Sequence, residues 1–319
     1  MSVIGRSVFH PRPRPVSSLA LAGAIVISTL CHSSAPAEDS REHPPAQFTI
    51  GERPFAPSSS WNTAIAEGAT YQKVGWPITA RFGVAWSSYS PAIYAASNSD
   101  PVVSVQYPPS WGFPGGIVNV RMPPDADGAV GTDGELLVID GSVVHNFWQF
   151  KRLNAAEATA RSYGATNVIT GNGWGRASPF RGAGIVAAGS SQLAGLLVQA
   201  ETDRGEIAHA LQISVDMPLA KPGHVGEAIN SDGRNPNGLV QEGQRLAIPR
   251  TATMPLGLSP LGQQVFRACQ RYGAFVIDVA GGVTNLRAQA NAYDQVTIAA
   301  LRRDVQRIVP MLQHVEVVE

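Results

Sequence analysis

The chain has 319 residues, 15% of them charged, and its 24 basic side chains balance its 24 acidic ones. That balance gives no indication of nucleic-acid binding, which needs clustered Lys and Arg to displace counterions from phosphates. Glycine (32 residues) and proline (24 residues) are abundant, a mix typical of many short strands joined by tight turns. The composition therefore predicts a β-rich protein.

The first 37 residues have the pattern of an export signal. Arginines precede an apolar run at 19–30, and Ala35-Pro36-Ala37 supplies the small residues that signal peptidase prefers. The run is short for a hydrocarbon core of about 30 Å, so a membrane anchor is the weaker interpretation. We expect a signal peptide at 1–37 and a secreted or periplasmic protein without membrane contact after cleavage.

The remaining chain is expected to fold as one unit. Residues 38–57 are rich in Pro and Glu and predict a flexible leader. Residues 58–319 are numerous enough for a single β-rich domain with its own core. Cys269 is the one cysteine left after cleavage, so no intramolecular disulfide is expected. The predicted fold is a mostly antiparallel β-sandwich or jelly-roll with a few peripheral helices.

Short apolar runs bounded by Pro or Gly predict the strands of the first half. Two of them lie at 102–107 and 117–121. A hairpin follows, in which strands at 136–139 and 143–150 are joined by Asp140-Gly141, a favoured turn dipeptide.

The second half begins with a Gly- and Ala-rich segment at 171–195, which predicts backbone packed closely against its neighbours. Helices are predicted at 260–272 and 293–309, where apolar residues recur at helical spacing. A buried strand at 274–279 separates the two helices, and a short strand at 315–318 follows them.

A predicted strand at 207–215 carries the most informative histidine. With a period of two residues, His209 shares a face with aliphatic side chains only. An imidazole in that setting either satisfies both ring nitrogens locally or faces a cavity. Glu201 lies just before this strand, and a tight turn between them would bring Glu201 and His209 into one cleft.

Cleavage of a glycan needs one protonated carboxyl group and one ionised carboxylate. We predict Glu201 as the general acid, because the apolar run before it would raise the pKa of its carboxyl group. Asp133, in a Gly-flanked loop, is predicted as the ionised partner. His209 is predicted to orient the acid or to shuttle protons; its alternative role is that of a satisfied core residue.

Substrate contacts are predicted from aromatic and polar residues near turns and strand ends. All six tryptophans lie between Trp61 and Trp174, where they form either core or a platform for sugar rings. Asp278 follows a buried run, so it needs either an arginine partner or a ligand. The predicted substrate-binding residues are Trp61, Asn62, Trp148, Trp174 and Asp278.

Other chemistries lack their motifs. The chain has neither the Gly-x-Ser-x-Gly elbow of common serine hydrolases nor a His-Glu-x-x-His zinc motif. His145, His209 and His224 are too scattered to predict a metal site. We predict no metal and no cofactor.

Several pieces of the chain together resemble a group of uncharacterised secreted bacterial proteins of β-sandwich or jelly-roll shape. The pieces lie at 60–65, 132–134, 195–201, 205–211 and 272–278. The resemblance implies a secreted β-rich fold and carries no activity. This chain departs from the group after Asp278, where it continues with a Gly-Gly turn.

These patterns favour a secreted carbohydrate-active enzyme, a glycoside hydrolase acting on an extended polysaccharide. A polysaccharide lyase that uses His or Tyr chemistry is one alternative. A non-catalytic glycan-binding or envelope-structural protein is the other. The sequence predicts a polysaccharide as partner and leaves the oligomeric state open.

Overall fold

The computed structural model describes residues 48–110, 113–175 and 182–316. In this part of the chain strands dominate and three helices accompany them, which confirms a mostly β fold with few helices. The predicted signal peptide at 1–37 lies outside the described residues, as do residues 38–47. Within the described ranges, no helix has both the length and the apolar character needed to cross a membrane.

The described strands are β1 Thr70–Lys73, β2 Phe82–Ala85, β3 Ala92–Ala95, β4 Val102–Tyr107, β5 Gly116–Arg121, β6 Leu136–Asp140, β7 Val143–Trp148, β8 Lys151–Arg152, β9 Glu157–Thr159, β10 Ser162–Asn167, β11 Leu211–Asp216, β12 Ala220–His224, β13 Val240–Glu242, β14 Arg245–Ala247, β15 Ala274–Ala280, β16 Thr284–Arg287 and β17 Gln313–Glu316. The helices are α1 Gln199–Thr202, α2 Pro260–Arg271 and α3 Gln295–Ile308.

The largest sheet has seven strands in the order β1-β17-β14-β15-β11-β16-β2. Two four-stranded sheets have the orders β10-β7-β6-β3 and β5-β4-β9-β8, and β12 pairs with β13. The pairing is mixed, since β11 is parallel to β15 but antiparallel to β16. Among the described strands, antiparallel pairs outnumber parallel ones, as predicted, while the sandwich or jelly-roll arrangement stays a prediction. Long connections allow the parallel pairs, and the one between β11 and β15 contains α2.

Helices α2 and α3 cover one face of the seven-stranded sheet. Val265 of α2 and Leu301 of α3 are fully buried in one cluster with Leu211 and Ile213 of β11. Both helices were predicted within two residues of their observed ends, because each begins at a strong local signal. The side chain of Ser259 caps α2, and that of Asp294 caps α3.

The opposite face of this sheet packs against the sheet β10-β7-β6-β3. Leu137 and Ile139 of β6 belong to the cluster between the two sheets. Leu136 and Val138 alternate with them and belong to a third cluster, shared with β4 and β5. Strand β6 is thus buried on both faces, which explains its continuous apolar sequence. The predicted hairpin of β6 and β7 is confirmed, with its turn at Gly141.

The predicted flexible leader is wrong for its last ten residues. Phe48 and Phe55 are 6% and 4% exposed and lie in the core between the sheets. The backbone N–H of Phe55 donates to the carbonyl of Val168 at 2.6 Å. Pro and Glu are the most frequent residues at 38–57, so the composition of this segment does not draw attention to the two phenylalanines that fix it.

The Gly- and Ala-rich segment packs as closely as its composition predicts. A Cβ atom added at Gly184 would lie 2.1 Å from the carbonyl oxygen of Ser190. Gly195 has φ +74° and lies against the backbone of Gln212 in β11. A side chain at Gly184 would disrupt packing within the segment, and one at Gly195 would separate the segment from the large sheet.

Candidate functional site

A β-bulge in β15 determines where Asp278 points. β11 pairs with β15 at Ile213 and Val276, skips Ile277, and resumes with Ser214 opposite Asp278. The extra residue breaks the alternation of side chains along β15. As a result Val279 packs on the helix-covered side with Val276, and Asp278 lies on the other face of the sheet.

Asp278 shares that face with polar residues of the neighbouring strands. Ser214 of β11 pairs with Asn285 of β16, and Arg287 lies two residues further on the same face. Together these four side chains line a cavity of about 470 Å³. The apolar packing between the two sheets therefore gives way to a polar cleft at this position.

A buried ion pair joins the two sheets beside the cleft. Arg287 donates through Nη2 to Glu135, which precedes β6, and the two side chains are 3% and 5% exposed. Its Nε donates to the carbonyl of Tyr89 at 3.1 Å. Burial disfavours the charged guanidinium, but the carboxylates of Glu135 and Asp278 raise the pKa of Arg287. Arg287 therefore remains a fixed cation in the cleft wall.

Asp278 is the carboxyl group in this cleft whose proton affinity best fits acid catalysis. Burial raises its pKa to about 7; Arg287 opposes this shift, and the charges of Asp232 and Glu135 add to it. The Arg287 Nη1 atom lies 4.0 Å from Asp278 Oδ2, and the Asp278 side chain keeps 27% of its surface exposed. A carboxyl group with these properties carries a proton near neutral pH and is open to a ligand.

A second acidic group lies in the wall formed by the loop at 230–234. Glu242 is 1% exposed, and its Oε1 accepts a hydrogen bond from the Asp232 N–H at 3.2 Å. Burial, together with Asp232 and then Asp278, raises the pKa of Glu242 to about 10. Glu242 is therefore neutral at physiological pH and fastens the loop that presents Asp232.

The cleft has two lobes that meet at Asp278. The first cavity, which we call the Tyr89 lobe, is also lined by Trp86 and Arg302. A second cavity of about 510 Å³, the Trp148 lobe, is also lined by Ile185, Ala187, Asp232 and Arg234. Both cavities are lined by Asp133, Asp278 and Val279. The carboxyl groups thus stand where the lobes join.

Three of the predicted site residues line this cleft. Asp133 and Asp278 line both lobes, and Trp148 lines the second. The Asp133 loop is tied to the end of β7, where the N–H of Gln149 donates to the Asp133 carbonyl at 2.7 Å. The alternative prediction for Asp278 was a pairing with an arginine, and Arg287 is its arginine neighbour.

Glu201 and His209 lie together as the sequence predicts, but away from the cleft. His209 Nε2 lies 2.9 Å from Glu201 Oε2, and its Nδ1 lies 2.9 Å from the carbonyl oxygen of Ala210. Glu201 Oε1 accepts from the N–H of Ala208 at 3.1 Å. The two side chains are 4% and 2% exposed, and neither lines either lobe.

We therefore correct the catalytic roles predicted for Glu201 and His209 to structural ones. Burial disfavours a charged imidazole, but the hydrogen bond and the charge of Glu201 raise the pKa of His209. The pair holds the turn after α1 against the start of β11. The histidine satisfies both ring nitrogens locally, which was the alternative interpretation of its position.

Trp61, Asn62 and Trp174 are core residues, and the prediction that they bind substrate is wrong. The tryptophans are 1% and 0% exposed, and their rings stack with centroids 5.0 Å apart. Asn62 is 6% exposed and donates through Nδ2 to the carbonyl of Pro54 at 2.8 Å. These residues anchor the segment before β1 in the core and present no face to a ligand.

Four residues of the cleft have no recognisable signal in the sequence. Glu135 and Arg287 are paired across 152 residues, so nothing in either local pattern predicts their contact. Asp232 belongs to an Asn-Ser-Asp-Gly run that is indistinguishable from an ordinary turn. Tyr89 has φ +56°, a conformation that is uncommon for a bulky residue.

Comparison with known proteins adds no functional assignment. The chain matches no protein family, and the searches of curated proteins and of solved structures found no match either. Among the described residues, no group of three or more His, Cys, Asp or Glu side chains is arranged to hold a metal ion.

Proposed function

We propose that the protein is a secreted glycoside hydrolase that acts on an extended polysaccharide in this cleft. Asp278 is the general acid, and Asp133 is the carboxylate that acts on the opposite side of the scissile bond. The observation that carries the proposal is the position of Asp278. Its pKa is about 7, and it stands between two open lobes beside a second carboxyl group.

In the proposed reaction Asp278 donates its proton to the glycosidic oxygen as the bond to the anomeric carbon breaks. The Asp278 carboxylate that results gains the attraction of Arg287, whose Nη1 is 4.0 Å away. Among the described residues this Nη1 has no hydrogen-bond partner, so it is available to the new charge. Asp133 either activates a water that attacks the anomeric carbon, or attacks that carbon itself to form a glycosyl-enzyme, which water then hydrolyses with the Asp278 carboxylate as base.

The charges of the cleft favour hydrolysis over the lyase alternative. A lyase must neutralise the carboxylate of a uronate before it removes a proton. The Trp148 lobe instead presents Asp133, Asp232 and Asp278, with Arg234 as its one exposed cation among the described lining residues. Arg287 is already paired with Glu135 through Nη2, and Nη1, its one nitrogen without a partner among the described residues, lies near Asp278. An anionic sugar ring would therefore be repelled here.

The test is a screen of purified protein against neutral and anionic polysaccharides, following both reducing ends and the ultraviolet absorbance of unsaturated products. Asp278→Asn should lower the hydrolysis rate by roughly 10²–10⁴, the usual contribution of a general acid. Asp125→Asn, on an exposed loop, is the matched control and should keep wild-type activity. Unsaturated products would support a lyase instead. Full activity of Asp278→Asn, or no product from any polysaccharide, would refute the proposal.

The pH dependence gives a second check. Because the acid must be protonated, the rate should fall as the pH rises through about 7, the pKa of Asp278. Rates measured across this range on one substrate should show this alkaline decrease. A rate that stays constant well above pH 7 would exclude Asp278 as the acid.

A further inference from the structure

We propose that one glycan chain crosses both lobes, with sugar units bound on each side of Asp278, so that internal bonds of the chain are cleaved. This inference rests on the proposed function. It adds the path of the glycan chain through the cleft and the position of the cleaved bond. It is carried by the two-lobed shape of the cleft and by one aromatic residue in each lobe.

The shape of the cleft places the cut between two binding regions. The lobes have volumes of about 470 and 510 Å³, each within the range of small-molecule sites. An enzyme that removes terminal units needs a pocket closed on one side of its acid. Here two separate cavities both have Asp278 in their lining, together with Asp133 and Val279, so binding space lies beside the acid in each lobe.

Tyr89 provides the aromatic surface of the first lobe. Its side chain is 54% exposed although its backbone has φ +56°, a strained conformation for a bulky residue. Two contacts hold the backbone there. Arg287 Nε donates to the Tyr89 carbonyl at 3.1 Å, and the hydroxyl of the adjacent Ser90 donates to the carbonyl of Ala288. The strain keeps the ring at the rim of the cleft, where it serves a ligand rather than the core.

Trp148 provides the corresponding surface of the second lobe. It is half-buried at the end of β7, and the next residue, Gln149, has φ +52°. The N–H of Phe150 donates to the carbonyl of Gly134 at 3.0 Å. With the bond from Gln149 to Asp133, this contact fixes the aromatic ring relative to the carboxyl groups. Both aromatic residues are thus positioned by the same elements that position Arg287 and Asp133.

The experiment measures binding and cleavage of neutral oligosaccharides of increasing length. The probes are β-1,4-linked gluco- and chito-oligosaccharides from dimers to octamers, titrated calorimetrically into the Asp278→Asn protein. The affinity should increase with length beyond what one lobe can hold. Tyr89→Ala and Trp148→Ala, each added to Asp278→Asn, should weaken the longest probes roughly tenfold or more, as for buried aromatic contacts. Tyr71→Ala, in β1 and outside both lobes, is the control and should leave affinity unchanged.

The products of the active protein give the second readout. End-labelled octamers should be cut at internal bonds, and Tyr89→Ala and Trp148→Ala should shift the cut in opposite directions along the chain. Release of single units from one end, or an affinity that stops rising at short probes, would overturn this inference and leave the hydrolase proposal intact. Neither binding nor cleavage of any probe or polysaccharide would overturn both.

Discussion

Glu201→Gln separates a structural role for this buried carboxylate from a catalytic one. In the wild type, Glu201 accepts hydrogen bonds from two donors, the N–H of Ala208 at 3.1 Å and His209 Nε2 at 2.9 Å. His209 Nδ1 faces the carbonyl of Ala210, which only accepts, so it carries a proton. The raised pKa of His209 favours the protonated ring, which donates on both sides.

A glutamine at this position has one acceptor and one donor group. Its amide oxygen can accept from the Ala208 N–H, and its amide nitrogen then faces His209 Nε2. The ring must release its Nε2 proton to accept from this amide, so the substitution removes the ion pair without leaving a buried donor unpaired. Both partners are at most 4% exposed, and we expect the loss of this charge-assisted hydrogen bond to lower the free energy of unfolding by about 1.5–3 kcal/mol.

Urea unfolding of the two proteins at neutral pH measures this loss, with equal slopes required for the comparison. Glu206→Gln is the control, because the Glu206 and Arg271 side chains are 66% and 60% exposed and a surface pair contributes less than about 1 kcal/mol. Activity of the folded Glu201→Gln protein should match the wild type. A loss below about 1 kcal/mol combined with lost hydrolysis would refute the structural role and restore the sequence-based assignment of Glu201 as general acid.

Three further predictions concern stability. Leu211→Ala should cost roughly 2–5 kcal/mol in urea unfolding, because this fully buried side chain lies under both helices; a cost typical of a surface site would contradict that position. The free energy of unfolding lost in His209→Gln should be greatest below pH 6.5, the ordinary pKa of histidine. This loss should shrink as the pH rises through the raised pKa of His209 in the folded state. A loss of stability that does not depend on pH would contradict a charged ring. Asp278→Asn should match the wild type at low pH and exceed its melting temperature above pH 7, because the folded state binds the Asp278 proton more tightly than the unfolded state does; a lower melting temperature above pH 7 would contradict this.

The sequence predicts elements well where the signal is local. The ends of α2 and α3 follow from the caps Ser259 and Asp294, and the hairpin of β6 and β7 follows from Asp140-Gly141. These signals need no information from distant parts of the chain. The contact of Glu201 with His209 was also within reach, since only a short turn separates them. Their role was not, because it depends on burial by elements far away in sequence.

The cleft was harder to predict because its residues come from five strands, several loops and helix α3. Glu135 precedes β6 and Arg287 ends β16, and neither stands out in its local sequence. Only the packing of one sheet on the other brings them together. Trp61 and Trp174 show the converse error. A tryptophan side chain suits either a sugar-binding platform or a core, and these two stack on each other in the core.

Asp278 shows why a regular pattern can predict a strand and still misplace its chemistry. Along β15 a strict period of two would put Asp278 on the face of Val276, under the helices, where an unpaired carboxylate is costly. The bulge at Ile277 moves it to the opposite face, beside Ser214 and near Arg287. Bulges are frequent next to active sites because they re-aim one side chain without breaking the sheet. The β-bulge that interrupts the period-two pattern therefore places the candidate acid in the cleft. Removing the bulge should return Asp278 to the helix-covered side.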